Sequence, residues 1–182
     1  MSKFVNYNSA ECGVLKEIFE KMPMMDTYVA NIVEEYIYST VKEYYDNGTL
    51  KYEYRAKYGE KDGEYKCWYS NGQIYLQKIY KNNKMNGEHK VWHDNGQLDI
   101  QTTYKDGKIE GEYKRFRNKG QLDIQTTFKN NVLHGEYKKW WGNGNLYIQC
   151  TYKDGKKEGE CKEWLENGQL QFQMTYKEGQ MI

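Results

Sequence analysis

The sequence predicts a mainly β protein, an elongated single-layer antiparallel sheet of tandem 24-residue β-hairpin repeats with a short α-helical N-terminal cap. An Asn-Gly-type dipeptide recurs every 24 residues, and a second series of glycines keeps the same interval. Self-similarity at one fixed period is the signature of a repeat protein. The dipeptides begin at Asn47, Asn71, Asn95, Lys119, Asn143 and Asn167, and the second glycines are Gly63, Gly87, Gly111, Gly135 and Gly159.

The composition of the 182 residues favours a thin sheet over a thick core. Charged side chains make up 29% of the residues and the mean hydropathy is −1.07, so little apolar material is available for a second layer. Aromatic residues reach 16%, and such rings favour half-buried strands with one edge in water.

Each period contains two strand-length segments, and the second alternates strictly between apolar and polar residues. Alternation with a period of two places the two kinds of side chain on opposite faces of a sheet. The apolar face is predicted to carry the rows Tyr52, Leu76, Ile100, Ile124, Ile148, Phe172 and Tyr80, Tyr104, Phe128, Tyr152, Tyr176, together with Leu50, Ile74, Leu98, Leu122, Leu146, Leu170. The opposite face, named the Gln face, carries Gln77, Gln101, Gln125, Gln149, Gln173 and Thr103, Thr127, Thr151, Thr175. A stacked Gln row is expected to form hydrogen bonds along the sheet.

The first strand of each period carries recurring Glu, Lys and Trp or Phe residues at every second position, so all three lie on the same face of the sheet. Which face this is depends on the length of the Asn-Gly loop. A two-residue type I′ turn pairs Tyr69 with Ile74 and puts Trp68 on the Gln face. A three-residue loop with glycine in a left-handed bulge pairs Trp68 with Ile74, and we favour it because a repeated ring is simply explained as part of the apolar face. The rows are Glu64, Glu88, Glu112, Glu136, Glu160, then Lys66, Lys90, Lys114, Lys138, Lys162, then Trp68, Trp92, Phe116, Trp140, Trp164.

The second turn of each period is looser, reading Lys-Asp-Gly-Lys at 105–108 and 153–156 but containing Asn82-Asn83 and Asn130-Asn131 elsewhere. Gly, Asn and Asp all tolerate positive φ. The sequence therefore predicts one turn geometry in all of these copies.

The repeated pattern resembles a known family. The pattern Gly-Glu-Tyr-Lys-x-Trp-x-x-Asn-Gly-x-Leu, followed by Tyr-Lys-Asp-Gly-Lys, is similar to the MORN repeat, in particular to the variant form of bacterial antitoxin-like proteins. The array with its short non-repeat N-terminus also resembles the MORN-repeat proteins of Marseillevirus-like giant DNA viruses. The resemblance implies an elongated scaffold, sometimes dimeric and sometimes lipid-associated, without catalytic residues. The chain departs from the commoner pattern after Gly63, where Tyr65 occupies the place of a second glycine.

Residues 1–38 fall outside the period and are predicted to form the helical cap, while 39–182 form the array of about six repeats. Ser9 and Asp26 are candidate N-caps for two short amphipathic helices separated by Pro23. Such helices would cover the exposed edge of the first hairpin. Docking of a partner is the alternative role for this segment.

The sequence predicts no enzyme, with no catalytic, cofactor-binding or metal-binding residues. His89, His93 and His134 are the only histidines, and an exposed strand histidine is seldom a metal ligand. The four cysteines Cys12, Cys67, Cys150 and Cys161 lack paired zinc-site spacing and are expected to be free thiols in a reducing compartment.

The charge balance bears on partners. With 27 basic and 26 acidic side chains the formal charge is +1, which argues against a nucleic-acid partner. No apolar run is long enough for a membrane span and no signal peptide is recognisable, so a cytoplasmic location is expected, in a host cell if the protein is viral.

The function expected from these features is a non-catalytic scaffold that mediates protein–protein interaction. The alternatives are a peripheral membrane or lipid-binding module, with weak membrane association, and an antitoxin-like inhibitor of a partner protein. Homodimerisation is a further expectation, because Phe172, Met174 and Tyr176 lie near the edge of the last predicted hairpin.

Overall fold

The computed structural model describes residues 37–182. Of the predicted N-terminal cap, residues 1–36 lie outside the described residues, and Tyr38 already belongs to the first strand. The strands are β1 Tyr38–Tyr44, β2 Leu50–Lys57, β3 Glu60–Trp68, β4 Ile74–Lys81, β5 Lys84–Trp92, β6 Leu98–Lys105, β7 Lys108–Phe116, β8 Leu122–Lys129, β9 Val132–Trp140, β10 Leu146–Lys153, β11 Lys156–Trp164, β12 Leu170–Lys177 and β13 Gln180–Met181.

The thirteen strands of residues 38–181 form one open sheet in which the spatial order equals the chain order. Every neighbouring pair is antiparallel, from β1 with β2 to β12 with β13. Short connections join consecutive strands, as expected when antiparallel neighbours are linked by hairpins. The predicted sheet of tandem hairpins is confirmed.

The second turn of each period contains two residues, and these turns all lie at the same end of the strands and share one geometry. Asp106 and Gly107 have φ values of 51° and 81°, and Asn82 and Asn83 have 49° and 60°. Positive φ at both central residues defines a type I′ turn, which matches the twist of the flanking strands. The predicted equivalence of Asp-Gly and Asn-Asn in these turns is therefore confirmed.

The Asn-Gly turns lie at the opposite end of the strands and are three-residue loops. The Tyr69 N–H donates to Gln73 O over 2.8 Å, and the Gly72 N–H donates back to Tyr69 O over 2.9 Å. Gly72 has a φ of 84°, the left-handed conformation of the predicted bulge. Trp68 pairs with Ile74, as the favoured alternative requires.

A second bulge follows this loop, and because of it the predicted position of the Trp row on the apolar face is wrong. The Trp row consists of Trp68, Trp92, Phe116, Trp140 and Trp164. Cys67 pairs with Leu76, so Tyr75 has no partner residue between the two pairs. One extra residue in a strand shifts the register by one, and such a shift moves side chains to the other face. Trp68 and Ile74 consequently lie on the Gln face, with Lys66, rather than on the apolar face. The same shift occurs at the corresponding position of the later hairpins.

The central row of the apolar face runs across the strands and includes the pairs His89–Thr102 and Thr126–Tyr137. Thr102 and Thr126 are each only 3% exposed. Tyrosines of this row pack edge to face against rings of the adjacent row, with centroid distances of 5.9 Å for Tyr65–Tyr80, 5.8 Å for Tyr113–Phe128 and 5.9 Å for Tyr137–Tyr152. Such T-shaped pairs are favourable beyond the area that they bury. Aromatic rings thus provide the cover that a second layer provides in thicker folds.

Asparagine side chains connect successive Asn-Gly loops. Asn71 Oδ1 accepts a hydrogen bond from the Gln73 N–H at 3.0 Å, while Asn71 Nδ2 donates to Asp94 O in the next loop at 3.4 Å. Asn47, Asn95 and Asn143 repeat both contacts. The recurring Asn therefore stabilises its own turn and the stacking of the turns, in addition to its tolerance of turn geometry.

A second set of loop side chains links each repeat to the next, although its members differ chemically. Each places a nitrogen or oxygen atom 2.8–3.2 Å from a backbone carbonyl 23 residues ahead. The five are Tyr45, Tyr69, His93, Arg117 and Trp141, and their carbonyl partners belong to Trp68, Trp92, Phe116, Trp140 and Trp164. These residues were not predicted from the sequence.

Candidate interaction surface

The Gln face carries a repeated arrangement of three side chains, named here the Glu-Lys-Gln ladder. In β3 the Lys66 Nζ lies 2.6 Å from Glu64 Oε2, and Gln77 Nε2 of β4 donates to Glu64 Oε1 over 3.3 Å. Four further copies keep the Lys–Glu distance within 2.7–2.8 Å and the same Gln–Glu hydrogen bond. The ladder consists of Glu64, Lys66, Gln77, Glu88, Lys90, Gln101, Glu112, Lys114, Gln125, Glu136, Lys138, Gln149, Glu160, Lys162 and Gln173.

The glutamines bind glutamate rather than one another, so the expected hydrogen bonding along a Gln row is wrong. Gln77 pairs directly with Lys66 on one side and Lys90 on the other. Successive glutamines are therefore two strands apart, roughly 9.6 Å at about 4.8 Å per strand. A lysine of the intervening strand lies between two successive glutamines, as Lys90 does between Gln77 and Gln101. The carboxylate diagonally across the neighbouring strand is within reach.

The ladder is electrostatically compensated along its length. The hydrogen bond from Lys66 holds the pKa of the Glu64 carboxyl below its usual value, and the corresponding lysines lower the pKa values of Glu88, Glu112 and Glu136. A lowered pKa means that the carboxylates stay ionised and paired at neutral pH. Each ladder lysine is consequently neutralised by a carboxylate of its own strand.

The Trp row borders the ladder on the same face. Alternation within β3 places Trp68 beside Lys66, and the pairing of Trp68 with Ile74 extends the apolar strip across the hairpin. The five rings are half-buried. Aromatic residues beside a polar, hydrogen-bonding row are typical of protein interfaces.

The apolar face contains a charged cluster near the Asn-Gly loops. Arg117 Nη2 contacts the Asp123 carboxylate and also donates to Trp140 O at 2.8 Å. Asp123 is 9% exposed, so the carboxylate depends on Arg117 for compensation. In the preceding repeat His93 and Arg115 each lie 3.7 Å from Asp99 Oδ1. Other repeats place rings at the corresponding positions, with a centroid distance of 5.0 Å for Tyr69–Tyr75.

The histidines lie in three different environments. His89 belongs to the central row of the apolar face, His93 lies in an Asn-Gly loop, and His134 Nδ1 is 3.4 Å from Asp154 Oδ1 at the other edge. Within residues 37–182, no group of three or more His, Cys, Asp or Glu side chains is arranged to hold a metal ion.

The structure corrects the expectation that all four cysteines are free. Cys150 and Cys161 form a disulfide, while Cys67 is a free thiol; Cys12 lies outside the described residues. The two bonded residues occupy different positions of the 24-residue period, which hid their relation in the sequence. The register of β10 with β11 makes them direct cross-strand partners.

A histidine in the central row makes stability depend on pH. Burial, and secondarily the Lys78 charge, lower the pKa of His89 below its usual 6.5, and neither ring nitrogen has a hydrogen-bond partner. As the pH falls, the unfolded chain therefore takes up the His89 proton before the folded chain does. The contribution of neutral His89 to the free energy of unfolding is complete above about pH 6.5 and is lost as the pH falls below that value. The His89→Tyr variant carries the residue found at the equivalent positions Tyr65 and Tyr113 of the neighbouring repeats. In thermal unfolding it should lose less stability than the wild type when the pH is lowered from 7.5 to about 5.5. Parallel curves for both proteins would contradict the prediction.

No helix among the described residues is long and apolar enough to cross a membrane.

The repeat boundaries agree with a known family model. The model described as MORN repeat variant matches six tandem segments, residues 39–57, 61–82, 85–106, 109–130, 133–154 and 157–178. Together they span well over half of the chain. The protein belongs to the MORN repeat variant family. Each match after the first covers two strands joined by an Asn-Gly loop and ends at the first residue of the following type I′ turn, so the MORN segments correspond to the observed structural period. No curated protein matches the chain.

Proposed function

We propose that the protein is a non-catalytic MORN-repeat scaffold that binds a protein partner through the Gln face. The observation that supports this proposal is the fivefold Glu-Lys-Gln ladder bordered by the Trp row. Copies recur about every 9.6 Å, two strands apart. A partner that contacts several equivalent copies gains affinity from multivalency without needing one strong site.

Binding to anionic membranes is the second candidate, because the ladder contributes five lysines. Electrostatic membrane attraction requires clustered, uncompensated basic side chains. The ladder lysines lie within 2.6–2.8 Å of their own carboxylates, which favours a protein partner over a membrane. Flotation with phosphatidylserine-containing vesicles separates the two candidates, and strong co-flotation would favour the membrane.

The decisive experiment is crosslinking with mass spectrometry in the native cell, using two matched triple variants. Lys90→Gln, Lys114→Gln and Lys138→Gln remove three ladder charges. Lys61→Gln, Lys139→Gln and Lys157→Gln remove three charges from the opposite face, where these lysines pair with Ala56, Ile124 and Tyr152.

The ladder variant should lose the crosslinks of a reproducible partner, while the opposite-face variant keeps them. Circular dichroism of both variants controls for folding. A partner retained by the folded ladder variant, or no reproducible partner of the wild type, would refute binding through this face.

Three finer predictions rest on the sequence. An antitoxin-like role and an origin in a giant DNA virus stay predictions of the resemblance alone. A cytoplasmic location stays a prediction from the apolar pattern of the sequence. Homodimerisation is supported by exposed apolar side chains of β12, where Leu170 and Phe172 are about half exposed. Light scattering that shows a monomer at high concentration would exclude the dimer.

A further inference from the structure

The disulfide lies in the central row of the apolar face and joins two family repeats. Cys150 is on β10 and Cys161 on β11, with Cα atoms 4.2 Å apart. The two residues are 1% and 6% exposed. Cys150 belongs to the segment 133–154 and Cys161 to the segment 157–178. The bond therefore links the fifth repeat to the sixth across the type I′ turn.

Other hairpins place unreactive pairs at the same register position. Thr102 faces Tyr113 and Thr126 faces Tyr137 across the corresponding strands. Lys78 faces His89 and Tyr54 faces Tyr65. Among residues 37–182, this crosslink thus occurs at one repeat junction, where the fold itself does not require it.

We propose that Cys150 and Cys161 form a redox-controlled staple that tightens the attachment of the sixth repeat. A dithiol reductant reverses it by thiol–disulfide exchange. One reductant thiolate attacks a sulfur of the pair, which breaks the protein disulfide, forms a mixed disulfide and releases one cysteine thiolate. The second reductant thiol then displaces the other cysteine as a thiolate, leaving an oxidised reductant and two protein thiols that take up protons.

Burial of both cysteines makes the exchange depend on opening of the strands. Tyr137 is the cross-strand neighbour of Cys150 on the far side, and Met174 is that of Cys161. A reductant reaches the sulfurs when β12, which carries Met174, separates locally from β11, and such local openings have lower free energy than global unfolding. The staple restrains the separation of β11 from β10, because the crosslink closes the loop between residues 11 apart in sequence.

The test compares the full chain after incubation with oxidised glutathione and after incubation with dithiothreitol. The oxidised protein should expose two titratable thiols fewer than the reduced protein, and peptide mapping should join Cys150 to Cys161. Reduction should lower the melting temperature by about 5 to 10 °C. Hydrogen exchange should accelerate in 157–178 more than in 85–106.

Two variants make the outcome specific. Cys150→Thr with Cys161→Tyr reproduces the pair Thr126 and Tyr137 of the neighbouring junction, so the chain should fold and melt independently of redox state. Cys67→Ser should keep the full redox response. The proposal is overturned if no Cys150–Cys161 crosslink forms after oxidation, if the melting temperature is the same in both states, or if the double variant still responds. None of these outcomes depends on the proposed scaffold function.

Discussion

Replacing Arg117 with alanine should destabilise the protein by about 2 to 4 kcal/mol, because it leaves a buried carboxylate uncompensated. Asp123 is nearly buried on the apolar face, and Arg117 both contacts its carboxylate and donates to Trp140 O. The substitution thus removes an ion pair and a hydrogen bond between repeats. Urea unfolding followed by far-UV circular dichroism measures the loss.

Arg115→Ala provides the matched control. The Arg115 side chain is half exposed and its Nε lies 3.7 Å from Asp99 Oδ1, so its loss should cost less than about 1 kcal/mol. The double variant Arg117→Tyr with Asp123→Tyr rebuilds the ring pair seen at Tyr69 and Tyr75 and should recover most of the stability. Equal losses for the two alanine variants would show that burial of Asp123 is not what makes the Arg117 contact important.

The architecture was predictable because glycine and asparagine report backbone geometry directly. A recurrent Asn-Gly predicts a tight loop, and Gly72 adopts the expected left-handed conformation. The face of the Trp row was not predictable in the same way. The bulge that turns Trp68 to the Gln face places its extra residue at Tyr75, and the corresponding residues share no chemical type. They are Tyr75, Asp99, Asp123, Tyr147 and Gln171.

The side chains that bridge repeats were missed for a related reason. Tyr69, His93 and Trp141 differ in size and charge, yet each brings a polar atom to the carbonyl of the next repeat. A search for one recurring residue cannot find them. A search for any long side chain with a terminal N–H or O–H two residues before the recurring Asn would have found them, because that property is what the contact requires.

The ladder was only partly predictable. The Glu, Lys and Gln rows are evident from their spacing, but the diagonal bond from Gln77 to Glu64 follows from strand register. Register also determines that Cys150 faces Cys161. The Gln77–Glu64 bond depends on the bulge at Tyr75. The facing of Cys150 and Cys161 depends on the bulge that contains Gly159, where three residues of β11, 158–160, face one residue of β10. A sequence reading that assumes regular pairing cannot place them.

Gly87→Ala should cost about 3 kcal/mol, because two separate penalties act at this bulge. The residue has a φ of 128°, a region that L side chains rarely adopt and that costs about 1 to 3 kcal/mol. An added Cβ would also lie 3.1 Å from both Cβ and Cδ1 of Ile79. The Ile79 Cβ is attached directly to the backbone of β4, so relief requires the strand itself to move.

Gly111→Ala separates the two penalties, because its φ is 94° but no atom lies within 4 Å of an added Cβ. That variant should lose about 1 to 2 kcal/mol from backbone strain alone. Adding Ile79→Thr to Gly87→Ala introduces the residue found at Thr103 and Thr127 and should recover part of the difference. Urea unfolding of the wild type, the two alanine variants and the double variant measures these losses of stability. If the Gly87 and Gly111 variants lose the same amount, the left-handed backbone alone requires glycine here, and crowding by Ile79 contributes nothing.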